Sequence, residues 1–272
     1  MSEAWDLANA AATRAGVVLR PLMSPEDADG IAGVMRATWG QDEPMPREMV
    51  IALAEAGNVP YGAIAGDSLV GYVLGWAGVS ADDGLHVHSH QLATLSGTQN
   101  RGVGYALKLA QRAQALDAGI TLVRWTFDPL VSRNAWFNLV KLGAVADRFL
   151  PNFYGAMSDE INAGERSDRL LVRWDLDRFA GEPVLSEGRQ VLGRSGDDLD
   201  EPAPMEVRAP DGADAALISI PRDYHEIRAH APSLASSWRA ATGEAFTACF
   251  QAGYIVSGFT KDSMYVLTKA GA

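Results

Sequence analysis

The alternation of apolar and polar positions divides the chain into helical and extended segments. Glu3–Ala15 is alanine-rich and predicts a helix, and Val17-Val18-Leu19 predicts a short strand ending near Pro21. Ser24-Pro25-Glu26-Asp27 predicts a helix start: Ser24 can cap, Pro25 suits the first turn and the acids suit the dipole. That helix runs to about Ala37, and a second over Pro46–Ala56 stops at Gly57. Two strands follow, Tyr61–Ala65 and Ser68–Ala77, joined at Gly66-Asp67. Leu85–Leu95 predicts a long strand, Ser96–Arg101 a polar loop and Gly102–Asp117 a helix closed by Gly119. Thr121–Phe127 is β-branched and aromatic, hence a strand. Ser132–Leu142 predicts a helix ending at Gly143, and Val145–Phe149 and Leu170–Trp174 predict further strands.

The pattern fails from Gly181 to Glu206, where Asp197-Asp198-Leu199-Asp200-Glu201-Pro202 is acidic and carries no apolar period. That stretch predicts a linker or surface excursion. Order resumes with a strand at Ala215–Ile220, a helix over Tyr224–Ala241, a second over Gly243–Ala252, and a hairpin of Tyr254–Phe259 and Met264–Thr268. The sequence therefore predicts an α/β (mixed α+β) fold with one central mixed sheet flanked by helices and a small C-terminal α/β extension. The expected organisation is 1–180 as the main domain, 181–206 as acidic linker, and 207–272 as a helix-hairpin region packing on the first domain or, in a homodimer, on a partner subunit. A faint internal echo links Ala135-Trp136-Phe137 through Gly143 with Ala245-Phe246 through Gly253. Each is a helix with an aromatic near its start, a glycine stop and a hairpin-like return.

Composition narrows the function classes. The 272 residues carry 34 acidic and 23 basic side chains, a formal charge of −11. Such acidity argues against a nucleic-acid partner held by bulk charge. One cysteine, Cys249, cannot form an internal disulfide, and no apolar stretch reaches the ~20 residues that span a bilayer. A cytoplasmic protein without a membrane partner is expected.

Charge is not uniform. Gly84–Leu116 is a 33-residue window without a single Asp or Glu, and it holds Arg101, Lys108, Arg112, His86, His88 and His90. A local positive window in an acidic chain suits an anionic ligand, although a buried strand followed by a helix with a basic solvent face gives the same pattern. Within it, Gln99-Asn100-Arg101-Gly102-Val103-Gly104-Tyr105-Ala106 joins a strand to a helix. The first N–H groups of a helix have no partner, the dipole adds positive character, and glycines admit an oxygen close to the backbone. The third glycine of a dinucleotide fingerprint is missing, since position 107 is Leu, and no Gly-Lys-Ser/Thr follows as in a Walker loop.

Gln99-x-x-Gly102-x-Gly104 between strand and helix resembles the acyl-CoA pyrophosphate loop of the GNAT acyltransferase superfamily. The order of elements over about 17–178 is similar too, as is the helix Ser132-Arg133-Asn134-Ala135 through Lys141-Leu142-Gly143-Ala144. His88-Ser89-His90-Gln91-Leu92-Ala93, Thr126-Phe127-Asp128-Pro129 and Tyr154-Gly155 through Ser167-Asp168-Arg169 resemble a subgroup of large predicted acetyltransferases. The resemblance implies acetyl-CoA or another short acyl-CoA as co-substrate and a small amine, for instance an amino acid, as acceptor. It implies that the strand ending at Leu92-Ala93-Thr94 splays from the next and pairs with the pantetheine arm. It further implies that backbone N–H groups around Arg101, Gly102, Val103, Gly104, Tyr105 and Ala106, with Gln99 and Asn100 beside them, hold the pyrophosphate. Asn134 or Asn138 then reaches the pantetheine or nucleotide side.

The chemistry needs a base for the amine and a proton for the leaving thiolate. His86, His88 and His90 alternate and so share one strand face, ~6.6 Å apart in successive steps. His90 is the first choice of base, directly or through water, and His88 the second; packing as hydrogen-bonded core histidines is the structural alternative. No Tyr lies between Val131 and Leu142, where many members of the superfamily carry one. Tyr154 is therefore the expected acid, ahead of Tyr105. Arg169 is a candidate for a substrate carboxylate, with Asn162 and Asp168 alongside, against a solvated Asp168–Arg169 pair. No metal is expected, although a His-x-His-x-His row also admits a metal hydrolase. A GNAT-fold binding or regulatory module with little catalysis is the remaining alternative.

Overall fold

A computed structural model describes residues 2–40, 45–98, 101–155, 166–177, 187–196 and 202–270. They fall into two compact units. The first is drawn from Met1–Trp125 and Asp175–Asp177, the second from Thr126–Ser158, Asn162–Trp174 and Arg178–Ala272.

The first unit contains α1 (Glu3–Ala15), β1 (Val18–Pro21), α2 (Pro25–Trp39), α3 (Arg47–Glu55), β2 (Tyr61–Ala65), β3 (Ser68–Ser80), β4 (Gly84–Thr94), α4 (Val103–Asp117) and the start of β5 (Leu122–Phe127). Its strands lie in the order β1-β2-β3-β4-β5. All pairs are antiparallel except the last, which is parallel. Ser24 caps α2 as predicted: its hydroxyl accepts from Asp27 N–H while the Asp27 carboxylate accepts from Ser24 N–H. One sheet face packs on α1 and α4 through Ala8, Ala11, Ala12, Val73, Ala106 and Leu107. The other packs on α2 and α3 through Ile31, Val34, Val50, Tyr72 and Leu74. Each fully buried Val, Leu or Ile side chain contributes about 1.5–3 kcal/mol. Helix α4 thus lies under one face of the β3–β4 pair, and α2 and α3 lie under the opposite face.

The second unit contains α5 (Ser132–Ala135), β6 (Val145–Leu150), β7 (Arg169–Asp175), β8 (Arg189–Leu192), β9 (Arg194–Ser195), β10 (Ala203–Pro204), β11 (Ala215–Ser219), α6 (Tyr224–His230), α7 (Pro232–Gln251), β12 (Tyr254–Phe259) and β13 (Met264–Lys269). Helix α5 continues into a π turn over Trp136–Lys141, in which Leu142 N–H reaches Phe137 O, five residues back. The strand order is β7-β6-β12-β13-β11-β8. The echo in the sequence has a structural counterpart here. Helix then hairpin occurs twice, as α5–β6–β7 and α7–β12–β13, and the two hairpins meet antiparallel at Ala146 and Val256.

The mixed α/β architecture expected from the sequence is the one observed. Two elements differ. The predicted helix break at Gly243 falls instead at Ala231-Pro232. Pro232 starts α7 without needing an N–H partner, and the residue before a proline is pushed out of the helical region. Gly243 lies inside α7, where a Cβ would come within 2.8 Å of the Arg166 guanidinium and 3.4 Å of Asp168. Its small size therefore serves close packing rather than termination. Within the expected linker, Arg189–Leu192 is a strand parallel to β11, short enough at four residues to escape a search for apolar period. The acidic stretch 197–201 lies outside the described residues.

Candidate active site

One long hairpin, β3 and β4 joined by the three-residue turn 81–83, places the histidines. β3 and β4 pair from Ser80–Gly84 to Gly71–Thr94 with one irregularity: Leu74 faces Gln91 while the next residue, Gly75, faces Ser89. His90 is the extra residue of a β-bulge. The bulge puts consecutive residues on one face, because His90 packs on Trp76 and Gln91 accepts a 2.9 Å hydrogen bond from Tyr72 Oη. Gly75 makes this possible, since a Cβ there would lie 2.5 Å from His88 O.

His88 and His90 share that face, 6.1 Å apart between ring centres, with Trp76 5.1 Å from the first and 4.9 Å from the second. His86, further along the strand, is buried, and its Nδ1 hydrogen-bonds Gly84 O at 3.0 Å. Burial, then the charges of His90, His86 and Lys108, push His88 down to about 4. Loss of water around its ring lowers His90 as well. Both imidazoles are therefore neutral at pH 7, the form a base requires.

This shift carries a stability consequence. An unfolded histidine titrates near 6.5 and the folded His88 near 4, so the unfolded chain binds more protons between those values. Stability rises with pH across that window and is lost as pH falls from 6.5 to 4. Allowing for partial exposure, about 2 kcal/mol is expected from this residue. Urea unfolding at both pH values checks it: the His88→Phe protein should lose that slope, and an unchanged slope would refute the assignment.

On the other face of β4, Ser89 meets α4. Lys108 is buried at 2% exposure and donates from Nζ to Ser89 Oγ at 2.8 Å and to Gln111 Oε1 at 3.0 Å. Its ammonium lies 3.7 Å from the centre of the Trp125 ring on β5. Burial pulls its pKa well below the ordinary lysine range. β4 and β5 pair only at Val87–Val123 and His88–Arg124. Ser89 and Trp125 are the next residues on each strand, so Lys108 reaches both immediately beyond the last paired residues.

From there β4 runs on through Leu92, Ala93 and Thr94 to the short turn Ser96–Thr98 and the start of α4. Gln99 and Asn100 lie outside the described residues. Arg101 and Gly102 are exposed, and Gly102 caps α4 in the left-handed region at φ 89°. Ala106 N–H is bonded to Gly102 O, closing the first helical turn and leaving the N–H groups before it at the open end of the helix. Val103 and Ala106 turn their side chains into the core and Tyr105 packs against the same cluster, so Val103–Ala106 offers a ligand its backbone, beside the exposed Arg101. Gly104 presents Leu92 at 3.7 Å from a notional Cβ.

The other expected residues belong to the second unit. Tyr154 is 46% exposed, its hydroxyl 3.2 Å from Thr126 Oγ1 and its ring 5.3 Å from the Arg169 guanidinium. Arg169 is buried, donates to Asp168 O at 2.9 Å and lies 3.8 Å from Asp128 Oδ2. The Asp168 carboxylate is engaged by Asn152 N–H and by Arg166. It holds the loop around Asn152 in place, where the sequence suggested substrate contact. Asn138 is buried in the π turn, Asn134 is half-buried on α5, and Asn162 lies outside the described residues. The sequence does not single out Trp76 or Arg239; Ser89 and Asp128 enter it only within longer motifs, and Lys108 only as one cation of the acid-free window. Lys108 carried one available signal: it interrupts the buried stripe Val103, Ala106, Leu107, Ala110 and Ala113. Among the described residues no group of three or more His, Cys, Asp or Glu could hold a metal ion, and no helix is long and apolar enough to cross a membrane.

No family model and no curated protein matches the sequence. Solved structures do. A GNAT-family protein from Desulfovibrio desulfuricans is 20% identical over 59% of this chain and 99% of its own, with a TM-score of 0.45. The ribosomal-protein-S18-alanine N-acetyltransferase of Escherichia coli is 13% identical over 62% and 99%, with a TM-score of 0.47. A Salmonella typhimurium protein solved with its cofactor acetyl-CoA is 16% identical over 62% and 99%, with a TM-score of 0.48. About three-fifths of the chain is similar to each of these structures.

Proposed function

We propose that the protein is an acyl-CoA-dependent N-acyltransferase that moves an acetyl or similar short acyl group to the amine of a small molecule. One observation carries the reading. β4 leaves β5 after two paired residues, and its unpaired edge leads into a glycine-capped helix N-terminus free of acidic residues. The free edge supplies backbone groups for an extended arm, and the helix end supplies N–H groups for a pyrophosphate. Neutral His88 and His90 stand on the face of β4 opposite α4, where an amine can be deprotonated as it attacks the thioester carbonyl. His90 at the bulge is the base in this reading, with His88 behind it.

Tyr154 and Arg169 keep lesser roles. Tyr154 has an exposed hydroxyl, but Arg169 already lies beside Asp128 and needs that partner displaced before it can take a substrate carboxylate.

Isothermal calorimetry with CoA and acetyl-CoA tests the reading. Both should bind with one site per chain and raise the melting temperature; no heat and no shift from either would end it. A binding module is favoured by the absence of a tyrosine from Ser132–Lys141. It predicts CoA binding without release of free thiol when acetyl-CoA is mixed with a panel of amines.

A further inference from the structure

We propose that Lys108 delivers the proton to the thiolate leaving group of acyl-CoA, from the side of the sheet opposite the histidines. The proposal rests on the acyltransferase reading and adds a residue to it.

The geometry comes first. His88 and Ser89 are consecutive on β4, so their side chains leave opposite faces. His88 and His90 meet Trp76 on one face, and Ser89 meets Lys108 on the other. Lys108 Nζ sits between Ser89 Oγ of β4 and the Trp125 ring of β5, immediately past the last residues the two strands pair. In the acyltransferase reading, a thioester lying along the free edge of β4 would end at this place, where the pairing with β5 stops. A base above the strand and an ammonium below it bracket the two atoms that change, the attacking nitrogen and the departing sulfur.

Energetics argue that the lysine is not incidental. A buried ammonium costs several kcal/mol unless its surroundings compensate. Here Ser89 Oγ and Gln111 Oε1 accept from the ammonium and the Trp125 ring lies against it. Methionine or leucine would fill the same volume of an apolar stripe without that cost. A lysine whose pKa is pulled down by burial is also a stronger acid than one in water, closer to the thiol it must serve.

The step balances. The amine nitrogen forms a bond to the thioester carbon, and its proton goes to His90. The C–S bond breaks with its electron pair on sulfur, and one ammonium proton passes from Lys108 to that sulfur, giving CoA thiol and a neutral lysine. His90 returns its proton to solvent. Lys108 regains one from water; Gln111, which accepts from Nζ, lines a cavity of about 150 Å³ with Gly75, Asn58 and Gln114.

The test uses the full chain, with Lys108→Met as the near-isosteric neutral variant. Ultraviolet absorbance of the CoA thiolate, titrated on the protein, should show the thiol of bound CoA at least tenfold more ionised at pH 7 in the native protein than in the variant. With acetyl-CoA and an accepted amine, kcat should fall about a hundredfold while KM for acetyl-CoA stays within a few-fold. If native protein and variant bind CoA with the same thiol titration, Lys108 does not face the sulfur and the proposal is overturned, while the acyltransferase reading survives. If the native protein binds no CoA, both fall. Lys108→Gln, which retains a polar partner for Ser89, decides the matter should the methionine variant fail to fold: it must also raise the bound thiol pKa and lower kcat.

Discussion

Replacing Gly102 by Val should weaken CoA binding about a hundredfold, some 2.7 kcal/mol, while leaving the core packed. Space is not the obstacle. A Cβ at Gly102 would meet nothing nearer than Ala15 Cβ, at 3.9 Å. The backbone is the obstacle: Gly102 sits at φ 89°, which costs an ordinary L-residue about 1–2 kcal/mol and a β-branched one more. Valine relieves that strain by rotating the peptide units on either side of position 102. The N–H groups at the open end of α4 then no longer converge on one anion. Gly104→Ala provides the contrast. Its Cβ would make an ordinary 3.7 Å contact with Leu92 in a helical backbone, so alanine is neutral or stabilising there. A loss of affinity at 104 would report crowding of the ligand, and a loss at 102 would report backbone geometry. Calorimetry with CoA alone separates both from turnover. A Gly102→Val protein that binds CoA as tightly as the native chain would remove the helix end from the site.

Local chemistry explains what the sequence revealed of this site and what it hid. The glycine loop, the acid-free window and the three alternating histidines are short-range features, and the structure places them on one strand-turn-helix unit. The bulge at His90 is different. It depends on Gly75 standing opposite His88 O, a pairing fixed by the register of a hairpin whose turn, 81–83, has no special sequence. Lys108 was read as one more cation of a basic helix, because its burial arises from Ser89 and Trp125, 19 and 17 residues away on two separate strands. The same limit hid the break before Pro232. Gly243 carried the stronger stop signal in the sequence, yet its role is to admit Arg166 and Asp168, more than 70 residues earlier. Residues whose partners lie within a turn were legible, and residues defined by distant partners were not.

Asp128 is the extreme case of a distant partner, and removing it should cost about 3–5 kcal/mol of stability. Its carboxylate takes two parallel hydrogen bonds from Arg239, 2.7 Å to Oδ1 and 2.8 Å to Oδ2, across a separation of 111 residues. Arg169 stands 3.8 Å from the same group, and Leu130 N–H donates to Oδ1 at 2.9 Å. Both arginine side chains are below a tenth exposed. Asp128→Leu would therefore take from two buried guanidinium groups the anion they share. An exposed ion pair would be worth a few tenths of a kcal/mol to about 1 kcal/mol, so the measured size discriminates. Urea unfolding of Asp128→Leu, Arg239→Met and the double variant should show each single change as strongly destabilising and the double one as less than their sum, since it also removes one stranded cation. The variant bears on function as well. Arg169 both neighbours the exposed Tyr154 ring and shares an anion with Arg239. Loss of Asp128 removes one carboxylate that competes with an acceptor for Arg169. If Arg169 serves acceptor binding at all, Asp128→Leu should lower KM for carboxylate-bearing amines relative to neutral ones in the folded protein. An unchanged ratio would assign Arg169 to structure alone.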